Sequence, residues 1–208
     1  MALFKRTGGG FLNGVDGTIA GYKFDEKTFE NNDGKGTHRK LSMELQVKQD
    51  GADEPVVTYM DGGFLYDGQA ISEDGQSLTD EQGDDTPIIK EDTDIAVFVG
   101  SLIERGIPES DFPTNGRDFS AMVGWRVTFA REMNKERQLA AGRKKLGVKA
   151  KGASEEELLK AGRRQDKNDK TKFYNHDRLI VTAVLAKPED AKGGKKAATK
   201  TAALAKVN

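Results

Sequence analysis

Cysteine is absent from the 208 residues, histidine occurs twice and tryptophan once. Without cysteine there can be no disulfide framework, no thiol nucleophile and no zinc site built on thiolates, and the expected compartment is a reducing cytosol. His38 and His176 stand in no metal-ligand spacing and in no nucleophile or general-base motif, so no enzyme, metal or cofactor is expected and both are read as surface residues. Asp80-Glu81-Gln82-Gly83-Asp84-Asp85 lacks the spacing of a calcium-binding EF-hand loop. Gly142 to Lys149 lacks the Gly-Lys-Ser/Thr ending of a phosphate-binding loop, and Gly8 to Gly14 misses the dinucleotide pattern. Long apolar runs are missing too. Nothing approaches the about 18 residues that span a bilayer, and Met1 to Gly8 lacks a signal-peptide apolar core, so a soluble, intracellular protein without a membrane partner is expected.

Charge is plentiful, and it is segregated. Charged residues make up 32% of the chain, hydrophobic residues 36%, and 24 glycines point to a β-rich body with much loop. The net charge of -1 conceals three unequal blocks. Residues 1–43 carry 7 Lys/Arg and 5 Asp/Glu, residues 44–118 carry 4 and 19, and residues 126–208 carry 22 and 10, giving +2, -15 and +12. A division of this size implies an anionic partner for the basic block, and solvation or self-masking for the acidic one.

Along the chain, residues 1–14 read as an irregular arm around Gly8-Gly9-Gly10. Val15 to Phe24 is the first strand, and Asp25 to Lys40 is polar and rich in turn residues, the composition of a flexible loop. Leu41 to Val47 alternates strictly and is the clearest half-buried strand; Val56 to Met60 is the third. Asp74-Gly75 predicts a tight hairpin turn. Ile95, Phe98, Val99, Leu102 and Ile103 form a helical stripe capped by Asp92 or Thr93 and closed by Gly106 and Pro108. Met122 to Phe129 is a fourth strand, whose Trp125 and Val127 face the core, and Arg178 to Leu185 is a fifth. Residues 188–208 form a Lys/Ala-rich tail expected to be disordered. The expected fold is therefore a β-rich α+β domain over residues 15–187. It is a five-stranded OB-like barrel with a helix between strands three and four and a long basic loop, 130–177, between strands four and five. A β-sandwich stays open.

The insertion between the last two strands carries Lys135, Arg137, Arg143, Lys144, Lys145, Arg163, Arg164 and Lys172, with Phe173 and Tyr174 at its far end. Within it, Ser154-Glu155-Glu156-Glu157 is a capping box ahead of a short helix. Basic side chains with interleaved rings can track a phosphate backbone while the rings stack on bases. We assign phosphate contact to these eight cations and to Arg126, and stacking to Phe173 and Tyr174. Lys35, His38, Arg39 and Lys40 close the groove from the opposite loop. Tyr22, Phe24 and Trp125 are read as core.

Phe11-Leu12-Asn13-Gly14-Val15-Asp16-Gly17-Thr18-Ile19, Ile71-Ser72-Glu73-Asp74-Gly75, Leu102 to Pro108 and Leu179-Ile180-Val181-Thr182 resemble segments of small proteins of tailed bacteriophages. Several of those families are single-stranded DNA-binding proteins of replication and recombination modules. The resemblance implies an OB-like fold, sequence-nonspecific binding of single-stranded DNA, a place in the host cytoplasm, and phage or host replication proteins as partners. RNA and a homo-oligomer stay open. The chain departs from the familiar pattern in its basic rather than acidic tail. The alternative reading is a phage structural or assembly protein whose acidic and basic blocks pair between subunits.

Overall fold

A computed structural model describes residues 12–31, 34–81, 88–112 and 117–188. The elements in chain order are β1 (Val15–Glu30), β2 (Thr37–Gln49), β3 (Val56–Leu65), β4 (Gln69–Ile71), β5 (Leu78–Asp80), α1 (Asp94–Glu104), β6 (Arg126–Met133), α2 (Lys135–Leu146), α3 (Glu155–Gly162), β7 (Arg164–Gln165), β8 (Phe173–Tyr174) and β9 (Asp177–Ala186). Short 3-10 turns lie at Glu109–Asp111, Ser120–Met122 and Gly147–Gly152. The protein is thus a β-rich α+β chain with a curled five-stranded antiparallel sheet and three helices. Ladders run in the order β3-β2-β1-β6-β9, and β4-β5 and β7-β8 form small separate pairs.

The chain divides into two compact units, and the division falls inside β6 and β9. One, the sheet unit, comprises Gly14–Ala130 and the chain from Ile180; the other, the insertion unit, comprises Arg131–Leu179 with the residues up to Asn13.

In the sheet unit the alternation of β2 places Leu41, Met43, Leu45 and Val47 on one face, where all four are buried. Ile19, Phe24, Met60, Val127, Phe129 and Val181 join them from the other strands. Against this face α1 buries Ile95, Phe98, Val99 and Leu102, with Phe98 parallel to Phe129 at 6.4 Å between ring centres. The helix starts where Thr93 Oγ1 accepts from the Ala96 amide at 3.2 Å, a side-chain cap for an otherwise orphan donor. Ser101, buried in α1, donates to the Phe98 carbonyl and accepts from the Val181 amide at 2.8 Å, so the hydroxyl joins helix to strand. Gly62 makes this packing possible: a Cβ there would meet both Ile95 and Leu41 at 2.8 Å.

Tyr22, Phe24 and Phe119 pack edge to face at 5.6 to 6.4 Å. The Tyr22 hydroxyl donates to the Gln76 carbonyl at 2.7 Å and accepts from the Phe119 amide at 3.1 Å. It thereby ties β1 to the hairpin turn at Asp74-Gly75 and to the segment before β6. Burial pushes this phenol up to about 12. Trp125 is buried, as its strand phase implied.

Two expectations need correction. Residues 25–40 were expected to be loop, yet β1 and β2 continue to pair there, with Lys27 opposite Lys40, Phe29 opposite His38 and Glu30 opposite Thr37. Beyond Phe24 and Leu41 almost nothing on either strand is buried, so the apolar alternation that marks a strand stops while the hydrogen-bond ladder does not. The insertion was likewise expected to be a long loop. It is instead α2, a 3-10 turn, α3 and the β7-β8 hairpin. Residues 1–11, the acidic stretch 82–87 and the tail from 189 lie outside the described residues.

Candidate nucleic-acid interface

The outward face of the sheet unit carries a row of rings. Strand alternation turns Phe29, His38 and Phe64 away from the core, because Phe24, Leu41 and Leu65 point into it. The His38 ring lies stacked on Phe29 at 5.6 Å and meets Phe64 edge-on at 5.3 Å. Both phenylalanines are about half exposed, at 45% and 51%. The middle ring is held by its neighbours: His38 Nδ1 donates to Asn31 Oδ1 at 2.9 Å, and Asn31 Nδ2 donates to the Lys35 carbonyl at 2.7 Å. An asparagine at the end of β1 thus orients the ring and closes the hairpin with one amide.

Lysines flank the rings on the same face. Lys27 sits directly across from Lys40, with its ammonium 5.7 Å from the centre of the Tyr59 ring, which is also half exposed. Lys40 is 2.7 Å from Asp61. Arg39, one residue away in β2, falls on the opposite side. Its guanidinium forks onto Glu26 through two 2.7 Å contacts, which lowers the Glu26 carboxyl and raises the arginine. Of the residues assigned to this hairpin, His38 and Lys40 therefore share the exposed face, and Arg39 does not. Arg126 forks onto Asp50, with Asp16 at 3.9 Å.

Sequence reasoning missed Phe29, Tyr59 and Phe64. For Phe29 a signal was present, since an aromatic in a polar hairpin arm has no core to join; Tyr59 and Phe64 lie in β3, where only the strand phase turns them outward. Of the aromatics set aside as core, Tyr22, Phe24 and Trp125 are all buried.

In the insertion unit, α2 begins at Asn134, whose Oδ1 accepts from the Arg137 amide at 3.0 Å. α3 begins with the expected capping box, Ser154 and Glu157 bonding each other's backbone amides. The two helices cross where each offers a glycine: a Cβ on Gly142 would fall 2.0 Å from the Leu158 carbonyl oxygen, and one on Gly162 1.9 Å from that of Gln138. Gln138 is the polar centre of the unit, only 1% exposed. It donates to the Leu159 carbonyl at 2.7 Å and accepts from the His176 amide at 3.0 Å. His176 is half-buried, and its Nε2 donates to the Gly162 carbonyl at 3.1 Å. Desolvation, then the nearby Arg164, Arg137 and Lys145, hold its imidazole below the ordinary histidine value, against the bond to Gly162.

The cations assigned to the insertion divide into three groups. Lys135 pairs with Glu155 at 2.8 Å and Lys172 with Asp169 at 3.2 Å. Arg137, Lys145 and Arg164 gather about His176, and the Lys145 ammonium donates to the Arg163 carbonyl at 2.6 Å. Arg143 and Lys144 stand exposed in the last turn of α2, where positive charge also complements the helix dipole. Phe173 and Tyr174 are about half exposed but successive in β8, so they face opposite sides of the hairpin and do not form one stacking platform. Among the described residues no group of three or more acidic or histidine side chains could hold a metal ion, and no helix is long and apolar enough to cross a membrane.

Comparison with protein-family models, curated proteins and solved structures finds no match to this chain.

Proposed function

We propose that the protein binds single-stranded DNA without sequence preference, in phage DNA replication or recombination. The observation that carries this reading is the exposed row Phe29, His38 and Phe64, with Lys27 and Lys40 beside it on one face of a curled sheet. Every base offers a ring face whatever its identity, so stacking on such a row is sequence-tolerant, and phosphates would take the place of the Asp25 and Asp61 carboxylates that pair with Lys27 and Lys40. A second support is the ladder order. An OB barrel pairs strand one with both two and four, two with three, and four with five, and binds nucleic acid on the face of strands two and three. The long strands here pair in that order, with the third and fifth at the edges, and α1 lies between the third and fourth. His38 and Phe64 lie on the second and third strands, and Phe29 on the first beside them. The resemblance to phage proteins of replication and recombination modules points the same way.

The test is fluorescence anisotropy with labelled oligo-dT. Phe29→Ala and Phe64→Ala should each weaken binding by about 1–3 kcal/mol, that is about 5- to 150-fold. Both side chains are half exposed, so the fold should survive. Oligo-dT affinity unchanged in the double variant would remove the ring row from the site and with it the main support for this function.

A further inference from the structure

The cations at the turn between α2 and α3 are not absorbed by the ring-bearing sheet face. Arg143, Lys144, Lys145, Lys149 and Lys151 fall within nine residues that contain no acid, and all five are exposed. Among the described residues Arg143, Lys144, Lys149, Lys151 and Lys160 make no ion pair, in contrast to Lys40, Arg126, Lys135 and Lys172. Lys149 and Lys160 line one open groove of about 490 Å³ with Leu146, Ala153 and Glu157. The Glu157 carboxylate in it is occupied by the Ser154 amide and hydroxyl. Val148, 86% exposed, stands between the two runs of cations.

We propose that this end of the insertion unit is a second nucleic-acid contact, one that takes the phosphate backbone of double-stranded DNA. Single-strand sites combine cations with stacking faces; no aromatic residue occurs between Arg143 and Arg163, and Phe173 and Tyr174, paired with β7 just beyond, face opposite sides of their strand and form no single platform. A ringless cation cluster reads phosphates alone. The duplex carries one charge per about 1.7 Å of axis and releases about 0.9 counterion per phosphate contacted, against about 0.7 for a single strand, so these residues gain more from the duplex. The inference stands on residues separate from the sheet face and adds a second form of the ligand to the function proposed above.

The full chain is titrated against labelled blunt duplex and against oligo-dT of equal length, between about 50 and 200 mM salt. The variant replaces Arg143, Lys144, Lys149 and Lys151 by Gln, which has a helix propensity close to that of Lys and Arg. Far-UV circular dichroism and a thermal melt verify that it folds. Expected are a loss of duplex affinity of at least about tenfold at low salt, a salt slope flatter by about 3 to 4, and a smaller change with oligo-dT. No duplex binding by the unaltered protein, an unchanged slope in the variant, or equal losses on both probes would overturn the inference. Self-association that the variant abolishes, with no DNA binding, would also overturn it, assigning these cations to the acidic surface of another copy. The two proposals fail separately. Duplex binding without oligo-dT binding sinks only the single-strand function, and the reverse sinks only the duplex contact.

Discussion

Replacing Gly142 by Ala tests whether the α2-α3 crossing is set by backbone contact. The added methyl would sit 2.0 Å from the Leu158 carbonyl oxygen and 2.8 Å from its carbonyl carbon. Neither atom belongs to a side chain that could rotate away, so the helices themselves must separate by more than an ångström. Separation loosens Leu158 and stretches the bonds through which Gln138 joins α2 to Leu159 and His176. Overpacking of this kind costs about 1–3 kcal/mol, and the better helix propensity of Ala returns about 0.8–1 of it. Because the clash is with backbone, the cost lies in the upper part of that range, about 2–3 kcal/mol, and the net expectation is a loss of about 1–2 kcal/mol in the insertion unit. Gly100, inside α1, is the control: a Cβ there meets nothing within 4 Å, so Gly100→Ala should stabilise by about 0.5–1 kcal/mol. The same chemical change thus takes opposite signs at two helical glycines. Adding Gly162→Ala to Gly142→Ala should cost less than the sum of the two singles, because once the helices have parted the second methyl has room. Native-state hydrogen exchange of the α2 and α3 amides reads the effect locally. A Gly142→Ala protein as stable as, or more stable than, the parent would refute a crossing held at glycine contact distance.

Three further outcomes follow from buried hydrogen bonds and shifted pKa values. Tyr22→Phe leaves the Gln76 carbonyl short of a donor and the Phe119 amide short of an acceptor. A loss of about 1–3 kcal/mol is expected in urea unfolding, and a change below a few tenths would show that water satisfies both groups. The same phenol, at about 12 when folded, binds a proton that the unfolded chain releases near 10, so its contribution is whole below about 10 and lost as pH rises through about 12. His176 shifts the other way. Its folded value lies below the unfolded value of about 6.5, so the unfolded chain takes up the proton first. The insertion unit is then fully stable above about 6.5 and loses stability as pH falls through the folded value. Hydrogen exchange of α2 and α3 between about pH 7.5 and about pH 5.5 should report this, and the pH difference should vanish in His176→Gln. An opening free energy that stays constant across that window in the parent would exclude the mechanism.

How much could be read beforehand varies with how each segment is buried. β2 was legible because one face is core and the other solvent, which imposes a period of two on the sequence. α1 was legible for the same reason at a period of 3.6, and Thr93 and Gly106 marked its ends. The α3 cap was legible because Ser154 and Glu157 satisfy each other's amides locally, with no help from the rest of the fold. α2 was overlooked because it does not pack through an apolar stripe. It buries Gln138 and Gly142, a polar hub and a missing side chain, and neither registers as hydrophobic periodicity. Its local signals, Asn134 ahead of a run of good helix formers and Gly147 after it, were available.

The amino-acid sequence by itself determined the local elements that carry their own pattern, the segregation of charge, and the presence of a cationic insertion between the last two long strands. Each of these depends only on near neighbours or on composition. Tertiary structure decided which charges are already satisfied and which rings share a face. Arg39, Lys40, Arg126, Lys135 and Lys172 find carboxylates, some of them far along the chain, whereas Arg143, Lys144, Lys149 and Lys151 find none among the described residues. Phe29, His38 and Phe64, spread over 36 positions, become one row only because β1, β2 and β3 pair in a particular register. Register is a long-range property, set by how the opposite faces of the strands bury themselves, and a ligand surface made from it cannot be read from any one stretch.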